Sequence, residues 1–172
     1  VYRMATSLRK DAYIVNGESA SLNTFLDNIR DEYKDVLINK ETALAQINSD
    51  TLLVIVDTHK KTYVEAPELL TKTNKIVVID HHRRSADFID QSILTFQEVY
   101  ASSAAELVTE LIQYTQNEVE LSTIEAEALY AGIMMDTKNF TFKTGVRTFE
   151  AAAYLRRCGV DIIKVKKWFQ SD

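Results

Sequence analysis

Two short stretches of this chain concentrate the side chains that can ligate a metal or move a proton. Asp57-Thr58-His59 follows the apolar run Thr51-Leu-Leu-Val-Ile-Val56, and Asp80-His81-His82-Arg83-Arg84 follows Lys75-Ile-Val-Val-Ile79. All three histidines of the chain therefore come just after such a run. Adjacent parallel strands would bring Asp57 close to Asp80 and His81, giving oxygen and nitrogen donors one focus. Mixed carboxylate and imidazole donors suit manganese, iron, cobalt or zinc better than calcium. Neighbouring residues of a strand point to opposite sides, so His81 and His82 are expected to divide the work. One would ligate metal, and the other would face substrate, where an imidazole can donate to a phosphoryl oxygen or move a proton.

Arg83 and Arg84 add positive charge beside that junction. A guanidinium can hold a phosphate through two parallel hydrogen bonds, so Arg83 is a candidate substrate contact. The alternative for both arginines is solvation or pairing with nearby Asp87 and Asp90. Asp136, in Ala131-Gly-Ile-Met-Met-Asp-Thr-Lys-Asn139, is a third acidic candidate at the junction of an apolar helix and a polar tail; an isolated acid there can equally be solvated. Ser102 and Ser103 read as helix caps, whose hydroxyls satisfy otherwise orphaned amides.

The elements that must position these groups alternate through the first half of the chain. Strands are expected at residues 12–15, 36–38, 51–57 and 76–80. Helices are expected at residues 21–33, 42–47 and 65–73, the last with Pro67 in its first turn, and a turn at Asn16-Gly17. The helix from Ser21 carries Leu22, Phe25, Leu26 and Ile29 on one face. Buried β-branched runs alternating with helices argue for a parallel sheet, whose ligands collect outside the carboxyl ends of the strands. A last strand is expected at residues 94–99. Helices then dominate: Ser103-Ala-Ala-Glu106 and Ser122-Thr-Ile-Glu125 are capping-box patterns, and further helices are expected at residues 148–158 and 162–169. Residues 1–10 carry helical spacing at Tyr2, Ala5 and Leu8.

Bulk properties narrow the function. The 172 residues are 46% hydrophobic and 26% charged, which is the composition of an ordered protein of one-domain size. The net charge of −5, with both signs interspersed, leaves no wide basic face for a long nucleic acid. Cys158 is the only cysteine, so an intramolecular disulfide and a multi-cysteine zinc site are excluded. The apolar runs are strand-sized, far short of the roughly 20 residues of a membrane helix, so no membrane contact is expected from this segment.

The motifs Asp80-His81-His82-Arg83, Asp57-Thr58-His59, Ala101-Ser-Ser-Ala-Ala-Glu-Leu-Val108 and Gly132-Ile-Met-Met-Asp-Thr-Lys138 together resemble the DHH phosphoesterases. Val15-Asn-Gly-Glu-Ser-Ala-Ser-Leu-Asn23 and the Asp57-Thr58-His59 and His82-Arg83-Arg84 details are most similar to the GdpP-type cyclic di-AMP phosphodiesterases. The resemblance covers essentially the whole chain and implies an α/β fold: a parallel-sheet DHH domain with helices on both faces and a helical C-terminal half. It implies that Asp57 bridges two Mn2+ ions, that His81 and Asp136 are both ligands of one of those ions, and that His82 faces the scissile phosphate. Asp80 would orient the histidines.

By the same resemblance the family's first motif, a His-x-x-x-Asp-x-Asp cluster on the first strand, would lie before Val1. The DHH-associated domain that completes the nucleotide site would follow Asp172. The segment is thus expected to belong to a longer, membrane-anchored protein, to bind metal weakly and to be inactive when isolated. The substrate implied is a cyclic dinucleotide, opened to a linear one by two-metal hydrolysis, with a cytoplasmic location and a parent able to form homodimers. Other DHH activities, namely oligoribonuclease, exonuclease or pyrophosphatase, and a non-catalytic nucleotide-binding module are the competing readings. A phosphoacceptor domain of the receiver kind would explain an aspartate at a strand end but not the histidine pair.

Overall fold

The structure is a computed structural model that describes residues 1–15, 23–115 and 119–169. The turn expected at Asn16-Gly17 and the first residues of the helix expected from Ser21 lie outside the described residues. The chain divides into two compact units: a sheet unit, Ala12–Glu98, and a helical unit formed by Val1–Asp11 with Val99–Asp172.

In the sheet unit, strands β1 (Ile14–Val15) and β2 (Leu37–Ile38) pair in parallel and flank helix α2 (Asn23–Tyr33). Helix α3 (Lys40–Gln46) starts two residues earlier than its apolar spacing suggests, because the Asn39 side chain accepts from the Thr42 amide and caps the first turn. Strands β3 (Leu53–Val56), β4 (Ile76–Asp80) and β5 (Leu94–Gln97) form a parallel sheet in the order β3-β4-β5. The expected strands therefore pair in parallel, but among the described residues they divide between two sheets. Leu53 pairs with Ile76 and Val56 with Ile79, and Asp80 pairs with Gln97. That register sets Asp57 beside Asp80 at the carboxyl edge, where the Asp57 amide donates to the Ile79 carbonyl at 2.9 Å.

Ile55, Leu70, Ile76, Val78 and Ile89 pack as one core beneath this sheet edge, with Ala43, Ala66 and Leu69 forming a second. The helix expected at 65–73 is instead a five-residue 3-10 turn, Pro67–Thr71. Proline starts that turn without strain, but buried Thr73 donates to the Thr51 carbonyl at 2.7 Å and draws the chain back to the sheet before a second turn can form.

The helical unit contains α1 (Tyr2–Ser7), α4 (Ala104–Tyr114), α5 (Thr123–Asp136), α6 (Val146–Arg157) and α7 (Ile162–Lys167). Its core joins α5, α6 and α7 through Ala126, Ile133, Met134, Ala151, Leu155 and Val165. Ser122 and Glu125 complete the expected reciprocal capping box at α5, and Arg3 of α1 adds a bidentate pair to the same Glu125. At α4 the box is altered: Ser103 caps the Glu106 amide, while the Glu106 carboxylate reaches past it to Ser102. Helix α6 begins at Val146 rather than Thr148 because Thr148 itself accepts from the Gly145 amide and serves as the third residue of the helix. Its end falls at Arg157, after which Gly159 takes the left-handed conformation, φ +99°, that a helix stop requires. No helix of the described residues is long and apolar enough to cross a membrane.

Candidate metal centre

Strand β3 stops because Asp57 turns left-handed, at φ +66°. Aspartate tolerates that region better than most residues, yet a non-glycine residue there still costs of order 1–3 kcal/mol and persists only where its surroundings impose it. The turn leaves the Asp57 carboxylate exposed at the sheet rim with Oδ1 3.4 Å from Nε2 of His81, itself a buried side chain. One residue on, His82 is half-exposed. Asp57, His81 and His82 each offer a ligand atom, and the three lie within 4.8 Å of one another. Donor atoms about 2.1 Å from a common ion stand roughly 3–4.2 Å apart; the Asp57–His81 pair at 3.4 Å falls in that range, and with His82 the group could hold a divalent cation of the class its mixed oxygen and nitrogen donors favour.

The two imidazoles do not diverge as strand alternation predicts. Their ring centroids are 4.3 Å apart, because β4 ends at Asp80 and the irregular backbone beyond it no longer alternates. What turns His82 inward is Asp80. This fully buried carboxylate accepts through Oδ1 from the His81 amide (2.8 Å), the His82 amide (3.2 Å) and His82 Nδ1 (2.7 Å), and through Oδ2 from His59 Nδ1 (2.5 Å). Burial alone would raise the Asp80 pKa, but the hydrogen bonds from His59 and His82 outweigh it and hold the group below the usual carboxylate value. Asp80 therefore stays ionised and acceptor-only. Gln97, its neighbour on β5, donates to the His82 carbonyl at 2.6 Å and fixes the backbone there.

Arg83 is exposed, immediately after this cluster. Arg84 stacks on Phe88, its guanidinium carbon 3.9 Å from the ring centroid. Neither arginine takes the acids that sequence proximity offers: Asp87 accepts from the Thr62 hydroxyl at 2.6 Å, and Asp90 from Lys61 at 2.7 Å. The loops after β3 and β4 are joined instead, by an antiparallel bridge between Lys60 and Phe88 and by the Ile89 amide on the His59 carbonyl. Asp136 is the last residue of α5, in the helical unit, and is exposed. Three consecutive left-handed residues follow it closely: Lys138, Asn139 and Phe140, with φ of 45°, 58° and 62°.

Sequence reasoning missed His59, Ser85 and Gln97 as parts of this centre. His59 stood out as a histidine after a strand, but its partners lie 21 and 26 residues away and share no motif with it. Ser102 and Ser103 are buried at the start of α4, and Ser103 is the cap that was expected.

A carboxylate and paired imidazoles gathered at the carboxyl edge of a parallel sheet make a group that could hold a metal ion in an α/β domain. The profile of the DHH family, N-terminal domain, matches residues 4–133, and the chain belongs to that family. It is 45% identical over 176 residues to the cyclic-di-AMP phosphodiesterase GdpP of Bacillus subtilis, covering 99% of this chain and 27% of the relative. It is 44% identical over 177 residues to the cyclic-di-AMP phosphodiesterase PdeA of Listeria monocytogenes, covering 100% and 27%. The chain thus spans about a quarter of the length of these relatives. Among solved structures, an exopolyphosphatase-related protein from Bacteroides fragilis shares the fold, with a TM-score of 0.76 at 22% identity over 98% of this chain and 49% of that one.

Proposed function

We propose that this domain is a metal-binding part of a phosphodiesterase that opens cyclic di-AMP to the linear dinucleotide. The observation that carries the reading is the cluster of Asp57, His81 and His82 on the rim of the parallel sheet, in a chain 45% identical to a protein named for that activity. Asp57 and His81 would hold Mn2+, two ions in the intact protein. Asp136 is assigned as a further ligand on its motif, Gly132-Ile-Met-Met-Asp136-Thr-Lys138. When bound, such ions polarise a water and neutralise phosphate charge.

The chain's own residues supply the rest. Asp57 brings a carboxylate whose backbone turn places it at the rim beside His81. His82, held through Nδ1 by ionised Asp80, presents its other nitrogen to the cluster and is the catalytic group facing the scissile phosphate. Arg83, exposed beside it, takes a non-bridging phosphate oxygen through its guanidinium fork. Selectivity for a dinucleotide over a long strand accords with the net charge of −5. By the resemblance to the GdpP-type proteins, the domain would work on the cytoplasmic side of a membrane-anchored protein.

The test is a substrate panel on the intact protein with Mn2+: cyclic di-AMP, short linear dinucleotides, single-stranded DNA and pyrophosphate, with products separated chromatographically. Preferential conversion of cyclic di-AMP to the linear dinucleotide is the expected result. A preference for linear dinucleotides, DNA or pyrophosphate would move the domain to another DHH activity, and tight binding without turnover would make it a nucleotide-binding module.

A further inference from the structure

The Asp57-Thr58-His59 motif contains a group that the proposed chemistry does not use. His59 is buried, 3% exposed, yet both of its ring nitrogens are committed. Nε2 lies 3.0 Å from the Ser85 backbone nitrogen and 3.1 Å from the Ser85 hydroxyl. A backbone N–H can only donate, so Nε2 must accept and carries no proton. Nδ1 then bears the ring's proton, and at 2.5 Å from Asp80 Oδ2 it donates to that carboxylate. The Gln97 amide nitrogen also stands 3.4 Å from Nδ1, but it donates at 2.6 Å to the His82 carbonyl, and a bare Nδ1 would set two lone pairs against each other at the shorter Asp80 contact.

The consequence passes through Asp80. With Oδ2 engaged by His59, Oδ1 is left to the His82 side: two backbone amides and His82 Nδ1. Oδ1 already accepts from two backbone amides, so His82 Nδ1 is the donor in their contact, and in the neutral form of that ring Nε2 is the nitrogen with a lone pair. We propose that His59 is a positioning residue: locked by the Ser85 amide as its Nδ1–H tautomer, it clamps Asp80 and thereby sets the tautomer and placement of His82 beside Asp57 and His81. The same ring pins the loop that carries Arg83 and Arg84, so one buried side chain keys both the imidazole and the cationic loop to the rim. This deepens the reading of the metal centre and rests on it for its kinetic consequence, though not for its structural test.

Two substitutions separate the two hands of the ring. His59→Asn places an amide nitrogen near the position of Nδ1 and keeps the donor to Asp80. His59→Gln reaches toward the position of Nε2 and keeps an acceptor for Ser85 while losing that donor. Residues that support metal ligands typically change affinity or activity by about 10–100-fold when removed. In the intact protein, His59→Gln should weaken Mn2+ binding, read by electron paramagnetic resonance, and lower kcat by roughly 10–100-fold, with His59→Asn within about threefold of wild type. Equal effects of both substitutions, or no effect of His59→Gln in a protein that unfolds at the wild-type temperature, would overturn the proposal.

An independent readout needs neither variant nor substrate. Long-range proton–nitrogen correlation spectra of metal-free, 15N-histidine-labelled protein should show Nδ1–H and bare Nε2 for both His59 and His82. An Nε2–H tautomer on either ring would sink the idea, and it would do so whether or not the protein hydrolyses a dinucleotide.

Discussion

Two of the buried carboxylates among the described residues, Asp80 and Glu106, are each surrounded by hydrogen-bond donors, and they serve opposite ends. Asp80, in the sheet unit, takes its side-chain donors from two imidazoles, one of which leads outward to the rim. Glu106, in the helical unit, takes Ser102 Oγ at 2.5 Å, the Ser102 amide at 3.1 Å and Thr148 Oγ1 at 2.7 Å, all on one oxygen. Those donors end where they begin: hydroxyls and an amide that tie the start of α4 to α6. Both carboxylates are paired, as burial requires. What differs is whether the partner has a second face with which to act. The second nitrogen of the His82 imidazole faces the rim, whereas the remaining acceptor capacity of the Thr148 hydroxyl goes to the Gly145 amide of its own helix start, so the first network can transmit position while the second braces.

The comparison can be broken most directly at its functional end. Asp57→Asn keeps the size and the left-handed tolerance of the residue but halves its donor strength toward a cation. If Asp57 is the metal ligand proposed above, turnover of cyclic di-AMP by the intact protein should fall by three orders of magnitude or more (~4 kcal/mol or more). Thermal unfolding should not move downward. Retention of activity would separate the rim cluster from the chemistry. Glu106→Ala is the reciprocal test. Removing the brace leaves two buried hydroxyls without their acceptor, which should cost about 2–4 kcal/mol in denaturant unfolding while the folded fraction keeps its Mn2+ affinity. A folded Glu106→Ala protein with lost metal binding would show that the brace also transmits.

Acid sharpens the same contrast. Asp80 has its pKa depressed by the bonds from His59 and His82. A depressed carboxylate contributes stability that is fully present above its unfolded value, about 3.9, and is lost as the pH falls through the lower folded value. The difference in urea midpoint between wild type and Asp80→Asn should therefore be largest near neutrality and shrink below about pH 4. A gap that stays constant down to pH 3 would mean that Asp80 is held by packing rather than by charge-assisted hydrogen bonds.

The convergence at the rim was legible because parallel register is simple arithmetic: two apolar runs of similar length, each ending in an acid, must end side by side when Leu53 pairs with Ile76. Helix starts were legible wherever a serine preceded a glutamate by three, as at Ser122. Illegibility began where regular structure stopped. Alternation predicted that His81 and His82 would diverge, but the rule holds only within a strand, and Asp80 is the last residue of β4. Arg84 looked like a partner for Asp87 or Asp90, but the bridge of Lys60 to Phe88 delivers those acids to Thr62 and Lys61 and leaves the arginine a ring to lie on. His59 needed a serine 26 residues away to reveal its tautomer. Contacts made by loops on loops have no period to read.

Strain supplies the smallest and most discriminating effect. Asp57 sits at φ +66°, a conformation that glycine adopts without steric cost and that burdens other residues by of order 1–3 kcal/mol. Nothing in the sheet itself asks for an aspartate there, since the residue's backbone amide already makes its bond to Ile79 and any residue except proline would supply that amide. If the carboxylate is kept for ligation at the expense of stability, Asp57→Gly should gain. Relief of strain minus the added flexibility of glycine in the unfolded chain leaves a net of about 1 kcal/mol, worth roughly 2–4 °C in Tm for a domain of this size. The same substitution should remove Mn2+ binding at the rim. A fall in Tm would instead make the Asp57 carboxylate part of the scaffold, and the distinction between a network that acts and one that braces would no longer hold at that position.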